Sequence, residues 1–474
     1  MQQGSVNIIE DHALESVPDH ARHGWPAMTW NTTGIVTTLV QIFISALLTT
    51  AAGFWITLEA GLFVTIIGTM FGWGAGHIAY RTGYSSTVMS RKFGFGVKGS
   101  VIVSAAIGFM IIGFLALENV LLYKGFLFYL KRADTLETKI IIYGIMTISW
   151  IVLTAYGFKL ISRLSSITLL LFLILLVWMG FVVLQKSGLS FSAAINFPSQ
   201  LPSQVLASMG ITSPVSAFFF CVNIYIGTAG ALAFVDADQG RYSKSSRDIG
   251  IAAFAGNLAM LPIMAIAGGL IVHAGMPTLV HYYEHVQNMT PAAAHQAVLR
   301  NPGSMAMAFV IFGGIIGAIM MVVAQSKAQV LNTYTASLSL TNLFDAFKFR
   351  ISRLTCVILA NVLGIVMLYG DILAKVASWL NFMGVVNTVL ITIIMLDFFV
   401  VRRLSEQRHE AMDGEAFNWA GIGSAVLAVI ISQLVPAHFF PIPFFFSVII
   451  AAVLYIPSRF FFLSRMAVVP SIMP

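Results

Sequence analysis

Lys327 stands in the middle of an apolar run, with residues 303–326 before it and the segment AQVLNTYTASLSL after it. One other charge lies as deep, Glu118, inside the apolar stretch 100–122. A charge at the centre of a bilayer costs about 2.5–3.5 kcal/mol on insertion scales, so such residues face a partner or a transport pathway. A carboxyl there can accept N–H donors or pass a proton, and burial disfavours the charge on a lysine. Two structural readings compete with this chemistry. Lys327 snorkels along a tilted helix to the cytoplasmic surface, or the two groups form a static buried bridge.

The elements that position these residues follow from composition. The chain has 474 residues, 58% of them hydrophobic and only 9% charged, where a soluble domain carries about 25% charged residues. A mean hydropathy of +0.88 and repeated apolar stretches near twenty residues predict an all-α polytopic membrane protein. Twelve spans are expected, near 32–56, 58–80, 100–122, 140–158, 163–185, 214–235, 249–272, 304–334, 354–370, 376–400, 418–436 and 442–463. Residues 1–31 read as an N-terminal tail, 32–400 as a core of spans 1–10, 401–463 as two peripheral spans and 464–474 as a C-terminal tail. Lys and Arg fall unequally: eighteen lie on one side, seven on the other, and Lys327 is the remaining one. The positive-inside rule then puts both termini in the cytoplasm, with the chain multi-pass in the cell (inner) membrane. The even number of spans agrees. The first thirty residues lack an apolar core, so no cleavable signal is expected and span 1 serves as the targeting element. Cys221 and Cys356 both fall inside predicted spans and read as small buried residues rather than a disulfide or metal site.

Other patterns are weaker. The segment 273–302 holds His273, His281, His285 and His295, and the i, i+4 spacing of His281 and His285 matches a two-ligand metal face. It is not HExxH, because Glu284 directly precedes the second histidine, and a solvated amphipathic loop is the alternative. Ile226-Gly227-Thr228-Ala229-Gly230 in span 6 is a candidate helix break, with close helix packing as the competing role of its glycines. In span 1 the candidate break is Gln41-Ile42-Phe43-Ile44-Ser45-Ala46. Asp238 and Arg241 are three apart, so they can meet on one helical face as an inner gate or as a plain interfacial pair. Gly94-Phe95-Gly96-Val97-Lys98-Gly99 is no phosphate loop, since it lacks GxxxxGK[ST] and no strand precedes it. It reads as a cytoplasmic hinge.

Four patterns occur in a recognisable order: Ala21-Arg22-His23-Gly24 before span 1, residues 93–100 between spans 2 and 3, Ala237-Asp238-Gln239-Gly240-Arg241-Tyr242 closing span 6, and Asp397-Phe398 with Arg402-Arg403 closing span 10. With the twelve-span topology, the chain over residues 20–460 resembles the nucleobase–cation symporter family 1, the cytosine permease and hydantoin permease group, and within it most resembles cytosine permease. The resemblance implies a leucine-transporter-like core, spans 1–5 and 6–10 being inverted repeats whose first helices are interrupted at midplane, plus two peripheral helices. It places Phe114 where the family stacks the flat base on an aromatic, and Glu118 where the hydantoin branch has a substrate-binding glutamine. In span 8 the family's hydroxyl pair, a source of sodium ligands, falls on Ser326 and Lys327, and its asparagine on Asn332. An ammonium supplies no oxygen ligand, so Lys327 departs from the sodium pattern. Asn119, beside Glu118, belongs to another face of its helix and to packing.

The expected substrate-binding residues are Gln41, Phe43, Phe114, Glu118, Thr228 and Asn332. The expected ion-site and coupling residues are Ser326, Lys327 and Glu118, and the expected gate is Asp238 with Arg241. No catalytic residue, metal ligand or organic cofactor is expected. The function so implied is a permease for a nucleobase or similar planar nitrogen heterocycle, coupled to protons rather than sodium, acting as a monomer or weak oligomer without nucleic-acid partners. The alternative keeps the fold and changes the substrate to a cationic, guanidino or ureide molecule drawn to Glu118. An intramembrane enzyme, for which Gly370-Asp371 is the nearest motif, and a channel are the readings from other classes.

Overall fold

The computed structural model describes the chain except residues 1–16, 19–21, 157, 287, 301–302, 371, 373–374, 406–411, 436–438 and 466–474. Asp371 and Ala21 therefore lie outside the described residues. All the regular elements described are helices. Nine are long and apolar enough to cross a membrane, a bent pair forms a further crossing, and two shorter apolar helices complete the set among the described residues. They are span 1 (Trp25–Val36 with Leu39–Ala52), span 2 (Phe54–Thr82), span 3 (Val101–Leu130), span 4 (Leu136–Tyr156), span 5 (Phe158–Ser187) and span 6 (Pro214–Gly240). Span 7 (Ser246–Leu258 with Met264–His273) is joined by a π-turn over Ala259–Ile263 that contains Pro262. Span 8 (Gly303–Ala346), span 9 (Arg353–Tyr369), span 10 (Val376–Leu396, continued through Asp397–Val401 to Leu404), span 11 (Trp419–Leu434) and span 12 (Pro443–Arg465) follow.

Burial sorts these helices. In spans 3 and 6, 72% of the most apolar stretch is buried, against 33% in spans 4 and 5 and 28% in span 12. A helix apolar all round is either central or lipid-facing, so spans 3 and 6 form the interior and spans 4, 5 and 12 the lipid-facing rim. Close approach at the centre rests on small residues, as expected where lipid provides no hydrophobic drive between helices. A Cβ on Gly72 of span 2 would strike Asp236 of span 6, and one on Gly227 of span 6 would strike the Leu380 carbonyl of span 10.

Two expected breaks are corrected. Span 1 bends by 63°, but at Thr37-Thr38 rather than within 41–46. Thr38 is extended (φ −129°, ψ 164°), and the freed Leu39 N–H donates to Gln325 Oε1 of span 8 at 3.3 Å. Residues 41–46 are regular helix, and the Ser45 hydroxyl accepts from Tyr225 Oη at 3.2 Å. Span 6 is an unbroken helix through 226–230. Its glycines serve packing against span 10, and the Thr228 hydroxyl bonds the Tyr225 carbonyl one turn back.

The ends of spans 2, 6 and 10 are tied to the chain segments beside them. The His23 N–H donates to the Tyr242 carbonyl at 2.6 Å and the Lys244 N–H to the His23 carbonyl at 2.9 Å, which fastens the N-terminal motif to the end of span 6. Residues 93–100, expected as a hinge, are held by backbone bonds from Val97 N to Glu415 O (3.0 Å), Lys98 N to Ala416 O (2.8 Å) and Asn418 N to Phe95 O (2.8 Å). Gly96 has φ +81°, and a Cβ there would meet the Glu415 and Ala416 carbonyls. Asp397, fully buried, accepts from Tyr455 Oη at 2.6 Å, from the Gly94 N–H at 3.1 Å and from Arg402 Nε at 3.4 Å. Arg402 also donates to Asp413 at 2.6 Å, and Lys92 pairs with that carboxylate at 3.0 Å.

This rim has a pH signature. Burial pushes the Asp413 carboxyl up, but hydrogen bonds from Arg402 and Lys92 outweigh it and hold the group below its ordinary range. A carboxyl depressed on folding contributes stability above its unfolded pKa, about 3.9, and loses it as pH falls through the lower folded value. Asp413→Asn is therefore expected to lower the melting temperature at pH 7. The gap from wild type should close as pH falls below the carboxylate range; thermal unfolding at several pH values measures it.

Candidate functional site

Beneath the bend in span 1 lies a small pocket. Thr38 and Gln41 of span 1, Phe114 and Glu118 of span 3, Thr228 of span 6 and Asn332 of span 8 share its lining. Phe114 and Glu118 are four apart, so one face of span 3 presents both. The Glu118 carboxylate accepts from Asn332 Nδ2 at 3.2 Å and is the one ionisable group in the lining. The cavity is about 50 Å³, well below the roughly 300–1,000 Å³ of ligand pockets, so an organic molecule enters only if its walls part. A larger cavity of about 770 Å³ lies at the other end of span 1, between Ala51–Ile56 and residues 196–217. It has no ionisable side chain. We place the site at the smaller pocket because polar groups from four spans converge there.

Five of the six expected substrate residues thus come together. Phe43 does not: it is buried in the apolar core away from the pocket lining. Its helix is continuous, so the pocket is reached from positions 38 and 41 instead. Asn119 points away from the pocket, accepting from Trp150 Nε1 at 2.9 Å and Gln329 Nε2 at 2.8 Å, and so joins spans 3, 4 and 8.

Lys327 lies outside this lining. It is five residues before Asn332, about 140° around the helix, and its ammonium sits against Gly34 in the first helix of span 1, Trp25–Val36. A Cβ on Gly34 would collide with Nζ and touch Leu169 of span 5. The side chain is 5% exposed, and Nζ has no hydrogen-bond partner among the described residues. Both structural readings of this lysine therefore fail on geometry: it neither reaches the surface nor bridges to Glu118. The Ser326 hydroxyl is spent on the Val322 carbonyl of its own helix, at 2.7 Å. Gly34→Ala is expected to lower expression and melting temperature, and Gly34→Ala with Lys327→Ala to recover both relative to Gly34→Ala alone. Fluorescence size-exclusion and thermal unfolding of the two variants beside wild type measure this.

Asp238 and Arg241 sit at the C-terminal end of span 6. The Asp238 carboxylate accepts from the Ser86 N–H at 2.7 Å, at the start of the short helix Ser86–Lys92, where helix termini favour negative charge. Arg241 Nε donates to the Asp238 carbonyl at 3.2 Å, and its guanidinium stacks over Tyr242. The pair ties span 6 to the chain that follows span 2.

Two residues escaped the sequence reading. Trp379 of span 10 packs edge-on to Phe114, ring centres 5.1 Å apart, in the space that Gly113 leaves open, and its indole Nε1 is buried without a partner. Its signal was a single tryptophan in a span with no motif nearby. Asp236 is buried against Gly72, and its Oδ2 has no partner. Its signal was present, a carboxyl near the end of an apolar run, but the adjacent motif drew the reading to Asp238.

No protein-family model and no curated protein sequence matches the chain. Solved structures do. The chain is similar to Mhp1, a nucleobase-cation-symport-1 family transporter, in a closed conformation with bromovinylhydantoin bound: TM-score 0.71, 19% identity, 98% of each chain covered. It is also similar to the inward-facing conformation of Mhp1 (TM-score 0.69, 18% identity, 98% of this chain and 97% of that one). A third match is a Na+-coupled sialic acid symporter in a substrate-bound outward-open state (TM-score 0.58, 14% identity, 94% and 91% covered). The class defined is a multi-pass helical membrane protein with the leucine-transporter-like fold. The particular fold is that of Mhp1 along nearly the whole chain.

Proposed function

We propose that the chain is a secondary transporter of the nucleobase–cation symporter family 1 that carries a planar nitrogen heterocycle and is driven by protons rather than sodium. The observation that carries this reading is the unpartnered Lys327 ammonium at the crossing of spans 1 and 8, on the position where the family resemblance puts a sodium-ligating hydroxyl. A fixed cation there removes the reason to bind a mobile one. Coupling then falls to protons moving on Glu118 or Lys327, with Glu118 also in the substrate's reach. A carboxylate beside a carboxamide accepts and donates along one edge of a heterocycle, while Phe114, backed edge-on by Trp379, supplies aromatic surface.

Asp238 and Arg241 act as the inner gate in this reading. The termini are cytoplasmic, the membrane is the cell (inner) membrane, and the working unit is a monomer or weak oligomer. A second reading rests on Glu118 being the one ionisable group in the pocket lining: a cationic or guanidino-like substrate would pair with it.

Uptake into proteoliposomes, with sodium and proton gradients varied separately, tests the coupling. Saturable uptake that follows the proton gradient and ignores sodium is expected. Strict sodium dependence overturns the lysine argument, and non-saturable flux overturns transport in favour of a channel. Competition among cytosine, purines, allantoin and charged analogues separates the two substrate readings.

A further inference from the structure

Between spans 7 and 8 the chain forms two short helices, Met276–Val286 and Pro291–Arg300, which pack against each other. The first is amphipathic. Leu279 and Tyr283, one turn apart, are buried, and Tyr282 packs its ring on Phe128 of span 3 at 4.4 Å between centres. These contacts fix which face points outward. On it stand His281, Glu284 and His285, at i, i+3 and i+4, so 3.6 residues per turn makes them neighbours on one surface. One ligand atom from each lies within 4.8 Å of the other two, and the two imidazole rings are 4.0 Å apart at 61°.

We infer that His281, Glu284 and His285 form a binding site for an imidazole-seeking divalent transition metal, zinc being the ion that fits best. Two imidazole nitrogens and one carboxylate oxygen, with a fourth position left to water, is a donor set that zinc takes in tetrahedral sites. Calcium and magnesium prefer all-oxygen sets and are poor candidates. Zinc bonds of 2.0–2.1 Å put tetrahedral ligands roughly 3.3–3.4 Å apart. The side chains must therefore close by about 1.5 Å, which rotation about exposed side-chain bonds provides without moving the backbone. The helix has eleven residues, shorter than helices that are stable alone, so a ligand bridging positions 281 and 285 would brace it. The site is independent of the transport reading: it needs only the face of this helix.

The test is isothermal titration calorimetry of the untagged, full-length protein in detergent with zinc chloride alone. One saturable site per chain is expected, weakened about tenfold or more by His281→Ala and by His285→Ala and less by Glu284→Gln. His295→Ala, on the neighbouring helix, should bind as wild type. Melting temperatures without metal confirm that the variants fold; if an alanine variant does not, the visible absorption of bound cobalt, read in His281→Gln and His285→Gln, replaces it. Absence of saturable zinc binding overturns the proposal. So does wild-type binding in the single-histidine variants, which would move the metal to other histidines such as His12, His20 and His23.

Discussion

Lys327→Met is expected to raise the melting temperature of the protein while reducing gradient-driven uptake at least about 100-fold, the two effects having opposite signs because the lysine is unpaired. A buried lysine that holds a fold together donates to something, and its removal strands a partner. Among the described residues Lys327 donates to nothing: its Nζ is packed against Gly34 without an acceptor. Insertion scales charge about 2.5–3.5 kcal/mol for such a group at a helix centre, and an unbranched methionine recovers part of that with similar length. A stabilising change that abolishes function marks a residue kept for its activity. Thermal unfolding and proteoliposome uptake on one preparation measure both signs. A lower melting temperature with normal uptake would return Lys327 to a structural role. Lys327→Thr adds a direct test, since a hydroxyl at 327 restores an oxygen ligand beside span 1. Any uptake it regains should depend on sodium.

How much of this was legible follows from which signals are local. Membrane spans are written in runs of apolar residues, and all twelve stretches appear as helices or bent helix pairs, but several ends differ: span 8 runs twelve residues past its expected end to Ala346, span 3 eight past its own to Leu130, and span 1 begins seven residues early at Trp25. Glu118 was legible because a charge inside an apolar run is conspicuous, Asn332 only through the family resemblance, and the structure joins their side chains. The breaks were not legible. Gln41 and Ser45 interrupt the apolar pattern, yet polar side chains can be satisfied within a helix, as Ser45 is by Tyr225. The true break at Thr37-Thr38 depends on Gln325, nearly three hundred residues away, capping the freed Leu39 N–H. Gly227 fails as a break for the same reason: its helix is continued because Leu380 packs into the gap the glycine leaves. Trp379 was invisible because its partner is an absence, the missing side chain of Gly113. Long-range complementarity of this kind leaves no periodic trace in either segment.

Glu118→Gln is expected to lower uptake efficiency by about 100-fold or more for a substrate that presents N–H groups, because a carboxylate that accepts twice is replaced by an amide that accepts once and donates. The geometry makes the substitution informative. Gln is nearly the same size, so the 50 Å³ pocket keeps its shape, and its oxygen can still accept from Asn332. What changes is the second acceptor and the capacity to carry charge or a proton. Were Glu118 only a buried acid packed for shape, Gln would be tolerated and the melting temperature would rise slightly, since an amide is less costly to bury than a carboxylate. If Glu118 reads the substrate, loss falls on substrate affinity and is steepest for cationic or N–H-rich competitors. If it carries the coupling proton, counterflow exchange of substrate persists while accumulation against a gradient is lost. Exchange and accumulation measured side by side in the variant thus separate recognition from coupling. Retention of both at wild-type rates would remove Glu118 from the mechanism and leave Lys327 to act alone.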